Sequence, residues 1–239
     1  METTVESFST ASVIRPAEPP FPSMFDLLMR GQSRLTQLLL SERHLSAAVS
    51  QMVGLSVLGF AVHGLVMGSV EQWAWANGRF ESIQGHPALW MPIAFALAFT
   101  GALGICLPSF YFYTQLAGVD ASFRLVTAQA LRINATTSVV LLGITPFYAA
   151  YALACGMGVV SNGLERMEII GYVLPFVAGL LSGVRALYRG FSDLADALPR
   201  THTRRGDFLR RMILCWCAIY SVIAPVALWR LTDTLSRVL

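Results

Sequence analysis

The sequence predicts an all-α integral membrane protein, in which a polytopic bundle of five transmembrane helices follows a polar tail and an amphipathic helix. Three observations lead to this fold class. Of the 239 residues, 55% are hydrophobic and only 13% are charged, whereas an ordinary soluble domain carries about 25% charged residues. The mean hydropathy is +0.58. Long apolar stretches without a carboxylate recur along the chain. These properties exclude a soluble globular enzyme.

Residues 1–22 form a polar segment rich in Ser, Thr and Pro. Such a composition offers too little apolar surface to offset the entropy of ordering the chain. Glu2 and Glu6 stand where a signal peptide has basic residues, and no apolar stretch follows them. We therefore expect a disordered cytoplasmic tail and no cleavable signal peptide.

The segment 23–45 has the pattern of an amphipathic helix, because apolar residues recur at helical spacing with charged residues between them. The apolar positions are Phe25, Leu28, Met29, Leu35, Leu38 and Leu39, and the charged ones are Asp26, Arg30, Arg34 and Arg43. Leucines mixed with arginines suit a helix that lies among lipid head groups. A helix packed on the protein's own cytoplasmic side has the same pattern, so the sequence leaves both interpretations open.

The remainder of the chain, 46–239, is predicted to be the transmembrane domain. A helix that crosses a bilayer needs about 20 mostly apolar residues. Five stretches reach this length, at about 47–70, 88–116, 125–154, 169–187 and 212–229.

The arginines predict the orientation. All seventeen basic residues are arginines, and arginine-rich loops remain on the cytoplasmic side of a membrane. A cytoplasmic N-terminus places thirteen of them inside, and an odd number of spans then places the C-terminus in the periplasm. The absence of lysine and the abundance of Ala, Leu, Val and Gly favour a GC-rich bacterial genome. We therefore expect a bacterial inner-membrane protein.

Three polar residues of the predicted spans are candidates for a functional role: His63 and Asn134 as an embedded polar site, and Arg132 as a lipid or partner contact. His63 lies in the middle of the first span, where an ionisable side chain is a candidate for a proton or metal site. A neutral histidine bonded to a neighbouring helix is the interpretation that the sequence favours. Arg132 and Asn134 begin the buried part of the third span. Arg132 is expected to extend to the cytoplasmic interface, and its alternatives are an anion path or a lipid head-group contact.

Two pairs of glycines, Gly64 with Gly68 and Gly179 with Gly183, have the spacing of close helix contacts. They predict packing within the chain at least as well as dimerisation, so a homo-oligomer stays open. The four cysteines favour a structural role, because none has a redox or metal-binding spacing. The chain also lacks a phosphate-binding glycine loop, a zinc protease signature and a nucleophile elbow. We predict no catalytic residue, no cofactor and no metal site.

The segment from Arg185 to Arg211 is the most polar part of the transmembrane domain. Its arginines fit anionic lipid head groups or an acidic partner, although orientation alone also requires them. The predicted lipid or partner contacts are Arg30, Arg34, Arg132, Arg204, Arg205, Arg210 and Arg211. A net charge of +3 is too small to indicate nucleic acid as a partner.

Residues from about 107 to 188 resemble the Yip-type family of five-span membrane proteins, especially its bacterial members. The similarity rests on Leu107-Pro108 followed by Tyr111, Phe112 and Tyr113, on the short turn over 118–123, and on a polar-fronted third helix that leads to Pro146. The Asp-Leu-Tyr-Gly-Pro motif of the eukaryotic members is missing, so their traffic-related partners do not carry over. The resemblance implies a membrane scaffold or adaptor without catalytic residues.

These observations predict a non-catalytic inner-membrane scaffold or accessory subunit of a multiprotein complex. It would contact partners or anionic lipid through the amphipathic helix and the arginine-rich loop. The alternative is an oligomeric channel or transporter subunit for ions or a small solute. Few polar residues fall within the spans, which favours the scaffold, because a solute path through five helices usually needs more of them.

Overall fold

The computed structural model describes residues 24–30, 32–76, 85–119, 121–157, 159, 173–197 and 205–239. The predicted tail at 1–22 and Arg204 lie outside these residues. The described part of the chain is built from helices: α1 (Met24–Arg30), α2 (Gln32–Leu40), α3 (Glu42–Ala76), α4 (Pro87–Leu116), α5 (Phe123–Gly156), α6 (Leu174–Ala197) and α7 (Arg205–Val238). This agrees with the all-α fold class.

Four of these helices, α3, α4, α5 and α7, are long and apolar enough to cross a membrane. They contain the predicted spans 47–70, 88–116, 125–154 and 212–229. The predicted fourth span, 169–187, begins outside the described residues and continues into α6. Among the described residues α6 does not reach the same apolar length, because Arg185 and Arg189 follow its first three turns.

The predicted amphipathic helix at 23–45 is not one helix. It forms α1 and α2, and the next helix, α3, already begins at Glu42. The Ser41 carbonyl accepts the backbone N–H groups of His44 and Leu45, which starts the hydrogen-bond ladder of α3. The leucine stripe faces the protein itself: Leu27, Leu28, Leu35 and Leu39 are all buried in the core. Of the two interpretations, this favours packing on the protein's own side for the leucine face.

Successive long helices run in opposite directions. The rings of Phe60 on α3 and Phe99 on α4 stack with centroids 4.2 Å apart, and Gly68, later in α3, lies against Pro87 at the start of α4. Trp216 near the start of α7 donates to the Cys106 carbonyl near the end of α4, 3.0 Å away. α3 and α7 are therefore both antiparallel to α4.

A tight turn joins α4 to α5 and positions the polar helix of the bundle. Gly118 adopts a left-handed φ of 74° just past the end of α4, a conformation that glycine adopts without steric cost. The Ser122 hydroxyl accepts the N–H of Leu125, 3.3 Å away, and caps α5. Gln115 reaches across the turn to donate to the Ala121 carbonyl, 2.8 Å away. α5 therefore packs directly against α4.

α6 packs along α5 in the opposite direction. Gly179 lies against Thr137 and Leu141, Gly183 lies against Ile133 and Thr137, and Gly190 lies against Gln129 and Arg132. The contact therefore moves toward the start of α5 as α6 proceeds. Directions thus alternate through α3, α4, α5, α6 and α7.

Candidate functional site

α5 carries most of the buried polar side chains of the described residues. Seven of its polar residues are buried: Gln129, Arg132, Asn134, Thr136, Thr137, Ser138 and Thr145. They lie at three successive levels along α5, which together contact α2, α3, α4, α6 and α7. Helices α3 and α5 begin at the same end of the bundle. We call it the arginine end, because most exposed arginines of the described residues lie there.

The first level contains Arg132, which is fully buried. Its guanidinium donates to the Thr36 hydroxyl of α2 at 2.9 Å and to the Gln129 side-chain carbonyl at 2.8 Å. The Asp193 carboxylate of α6 interacts with it electrostatically. The guanidinium is enclosed by protein, so in this structure it is not accessible to a lipid head group, contrary to the predicted lipid contact. The guanidinium instead joins α5 to α2 inside the protein.

The absence of a side chain at Gly190 leaves space for the side chains of Gln129 and Arg132. A Cβ atom there would lie 2.7 Å from the Gln129 Oε1 atom and would also meet the Arg132 guanidinium. α6 can therefore approach the buried charge closely only because residue 190 is glycine. The three helices α2, α5 and α6 meet around one arginine.

The second level contains Asn134, which is also buried and bonds to two other helices. Its side-chain amide donates to the Phe99 carbonyl of α4 at 3.1 Å, and its carbonyl accepts the Tyr220 hydroxyl of α7 at 2.5 Å. One turn further, the Thr137 hydroxyl donates to the Gly179 carbonyl of α6 at 3.0 Å. The embedded polar site predicted at Asn134 is therefore a junction between helices.

The third level contains His63 of α3 and Thr145 of α5, whose Nδ1 and Oγ1 atoms are 2.8 Å apart. The Thr145 hydroxyl donates its only hydrogen to the Leu141 carbonyl, 2.7 Å away. Both short contacts of the Thr145 oxygen are hydrogen bonds at once only when its hydroxyl donates to Leu141 and accepts from the imidazole, and this network assigns the proton to Nδ1. In the neutral ring, Nε2 is then left as a hydrogen-bond acceptor. His63 bonds to a neighbouring helix, as the sequence favours.

A cavity of about 320 Å³ lies beside His63. Helices α3 to α7 all contribute to its wall, which is mostly apolar, and none of the lining residues within the described part of the chain is charged. Phe95 meets the imidazole edge-on with ring centroids 5.4 Å apart. Among the described residues, no group of three His, Cys, Asp or Glu side chains is placed to hold a metal ion.

Both glycine pairs pack within the chain. A Cβ atom on Gly64 would lie 2.7 Å from the Met91 carbonyl oxygen of α4, and Gly68 lies directly against Pro87. Gly179 and Gly183 face α5 in the same way. These four positions therefore serve close contacts inside the bundle and are not available to a second copy.

The surface arginines gather at one end. The exposed ones there are Arg30, Arg34, Arg43, Arg124, Arg185, Arg189, Arg210 and Arg211. At the opposite end the exposed arginines of the described residues are Arg230 and Arg237, and Arg237 pairs with Asp233 at 2.7 Å. Arg205 begins α7, and its side chain is outside the described part of the chain. Of the predicted contacts, Arg30, Arg34, Arg210 and Arg211 therefore lie at the same end of the bundle.

Sequence reasoning missed three partners and the cavity. Thr36, Gln129 and Tyr220 complete the bonds of Arg132 and Asn134, yet each looks ordinary in its own segment. Gln129 and Arg132 are three residues apart on a helix, which is a recognisable signal for contact. Thr36 and Tyr220 are 96 and 86 residues away from their partners, and no local pattern connects them.

No family model, curated protein or solved structure matches the chain. The resemblance to the Yip-type family stays a prediction.

Proposed function

We propose that this protein is a non-catalytic scaffold or accessory subunit of a complex in a bacterial inner membrane. The bonding of α5 carries the proposal. Its embedded polar side chains bond to α2, α3, α4, α6 and α7. Polar groups used in this way connect helices and do not line a water-filled path. This favours a scaffold over an oligomeric channel or transporter.

The proposed orientation places the arginine end in the cytoplasm. Among the residues that the structure describes, eight exposed arginines lie at one end and two at the other, which follows the distribution expected from the positive-inside rule. In this arrangement α6 is the fourth of five spans, which its antiparallel packing on α5 supports. The N-terminus then lies in the cytoplasm and the C-terminus in the periplasm.

The outer face of α1 and α2 is the proposed contact for a protein partner. Phe25 and Met29 are each 52% exposed, although they neighbour fully buried leucines. Arg30 and Arg34 are exposed on the same helices. Exposed aromatic, methionine and arginine side chains together are typical of protein interfaces. The arginines favour a partner that presents acidic side chains.

Site-specific photocrosslinking in intact cells tests this role. A photoreactive amino acid replaces Phe25 or Met29, and a control replaces Ile219, which is 51% exposed on α7 and faces the proposed lipid. We expect one protein adduct of defined mass at the first two positions and only lipid adducts at Ile219. Substituting Arg30 and Arg34 with glutamate should reduce the protein adduct at Met29. Only phospholipid adducts at Phe25 and Met29 would instead assign this face to the membrane surface and contradict the scaffold.

A further inference from the structure

The cavity beside His63 has an inner wall and an exposed rim. Met67, Met91 and Leu141, which form part of the inner wall, are all nearly inaccessible to solvent. At the rim, Val177 of α6 is 46% exposed and Trp229 of α7 is 66% exposed. These two side chains face outward from a bundle whose surface is apolar. The cavity is therefore open sideways, between α6 and α7.

Its position determines what can enter. His63 lies about 7 Å beyond the midpoint of the span Arg43–Ala74, on the side away from the arginine end. With α6 as the proposed fourth span, a molecule that arrives through the opening between α6 and α7 comes from the membrane. The volume of about 320 Å³ is at the lower end of ligand-sized pockets. It holds the volume of about ten water molecules, so it fits a small ring and not a complete phospholipid.

The lining determines the chemistry of that molecule. Phe95, Phe176 and Trp229 present aromatic surface to the cavity, which suits an aromatic ring. None of the described residues that line it is charged, so among them an ionised head group would find no counter-charge. His63 provides a hydrogen-bond acceptor, because its Nδ1 proton is used by Thr145. No hydrogen bond to Nε2 is found within the described residues.

We propose that the cavity binds the phenolic head of a lipid-soluble molecule. The ring packs among the aromatic side chains, and its hydroxyl donates to His63 Nε2. Any apolar tail leaves the cavity between Val177 and Trp229. This site does not depend on the scaffold role, and a partner bound at α1 and α2 would not occupy it.

The test uses the full chain in bicelles, with ¹⁵N-labelled histidine observed by NMR. The probes are 4-butylphenol and its methyl ether, 4-butylanisole, which lacks the donor. The signal of Nε2 is assigned by its loss in His63→Leu. We expect a saturable shift of this signal with the phenol and an affinity about fivefold lower for the ether. A shift that rises linearly without saturation, or equal affinities for the two probes, would overturn the proposal.

Two further comparisons separate the cavity from general partitioning into lipid. Val177→Trp should fill the opening and remove saturable binding, whereas Val222→Trp is a matched control on α7 that lies outside the cavity. Binding to the His63→Leu variant is measured by the rise in melting temperature that each probe causes. This variant should bind both probes equally. A phenol with a dodecyl tail should bind at least as tightly as 4-butylphenol. Its exclusion would show that the cavity is closed and would contradict the lateral opening.

Discussion

Asn134 shows how one side chain can connect three membrane helices. Its amide nitrogen donates a hydrogen bond to α4, and its amide oxygen accepts one from α7. Both bonds are buried, where an unpaired polar group has a substantial desolvation cost. A single residue of α5 thereby connects it directly to two other helices.

We predict that Asn134 and Tyr220 are energetically coupled. Asn134→Leu leaves the tyrosine hydroxyl buried without this acceptor, and Tyr220→Phe leaves the asparagine carbonyl without this donor. Each substitution should lower the free energy of unfolding by about 1 kcal/mol, and the double variant should lose less than the sum of the two. Unfolding by SDS titration in bicelles measures all three.

Ser221→Ala is the matched control for this cycle. Ser221 neighbours Tyr220, but its hydroxyl bonds only to the Cys217 carbonyl of its own helix, 2.7 Å away. Its removal should change stability little and show no coupling to Asn134→Leu. Strictly additive losses at Asn134 and Tyr220 would show that the bond between them contributes nothing.

At the scale of the elements, the glycine contacts and the docked N-terminal helices hold the bundle together. Leu28, Leu35 and Leu39 are almost completely buried. Replacing these leucines with acidic residues would therefore disrupt packing inside the protein. A loss of membrane binding in such variants would not show that the leucines contact lipid. The exposed outer face, with Phe25 and Met29, is the part of α1 that remains available for contacts.

The contact of α3 with α4 should depend on Gly64. A methyl group there would lie 2.7 Å from the Met91 carbonyl oxygen and 3.0 Å from the Pro92 Cα. Backbone atoms cannot move aside as a flexible side chain does, so Gly64→Ala should destabilise the protein by about 1–3 kcal/mol. SDS titration measures the loss.

Gly54 lies earlier in α3 and provides the control. Nothing lies within 4 Å of a Cβ atom at this position. Gly54→Ala should leave stability unchanged or raise it by up to about 1 kcal/mol, because alanine is the better helix former. If both substitutions behave alike, the close approach at Gly64 has no energetic role.

For the whole molecule, the main prediction concerns which side of the membrane each end faces. α6 runs antiparallel to α5, but within the described residues it is shorter than α5 and α7, and Arg185 and Arg189 interrupt its apolar stretch. With five spans, a reporter at the C-terminus should read as periplasmic, and reporters inserted at Arg204 and at the N-terminus should both read as cytoplasmic. Paired alkaline phosphatase and fluorescent-protein fusions measure these locations.

The outcome distinguishes two bundles. If α6 does not cross the membrane, the chain has four spans and both termini lie on the same side. Arg204 would then report the opposite side from the N-terminus. That result would reject α6 as a span and, with it, the opening of the cavity toward the hydrocarbon between α6 and α7.

The sequence by itself determined the class of protein and the places of most of its long helices. Apolar length alone predicts 47–70, 88–116, 125–154 and 212–229, because a bilayer imposes the same requirement on every span. The glycine pairs and the embedded His63 and Asn134 were also recognisable, since such residues are costly or unusual within membrane helices.

Only the tertiary structure decided what these residues contact. Arg132 is enclosed by protein and not exposed, and the hydroxyl that accepts from it belongs to Thr36, which lies 96 residues earlier in the chain. The leucine stripe of 23–45 could face lipid or protein on periodicity alone, and the packing of α1 and α2 places it inside. The cavity has no signature along the chain, because five helices contribute to its wall. Local patterns report which side chains avoid water or carry charge, whereas partners distant in sequence depend on how the helices pack.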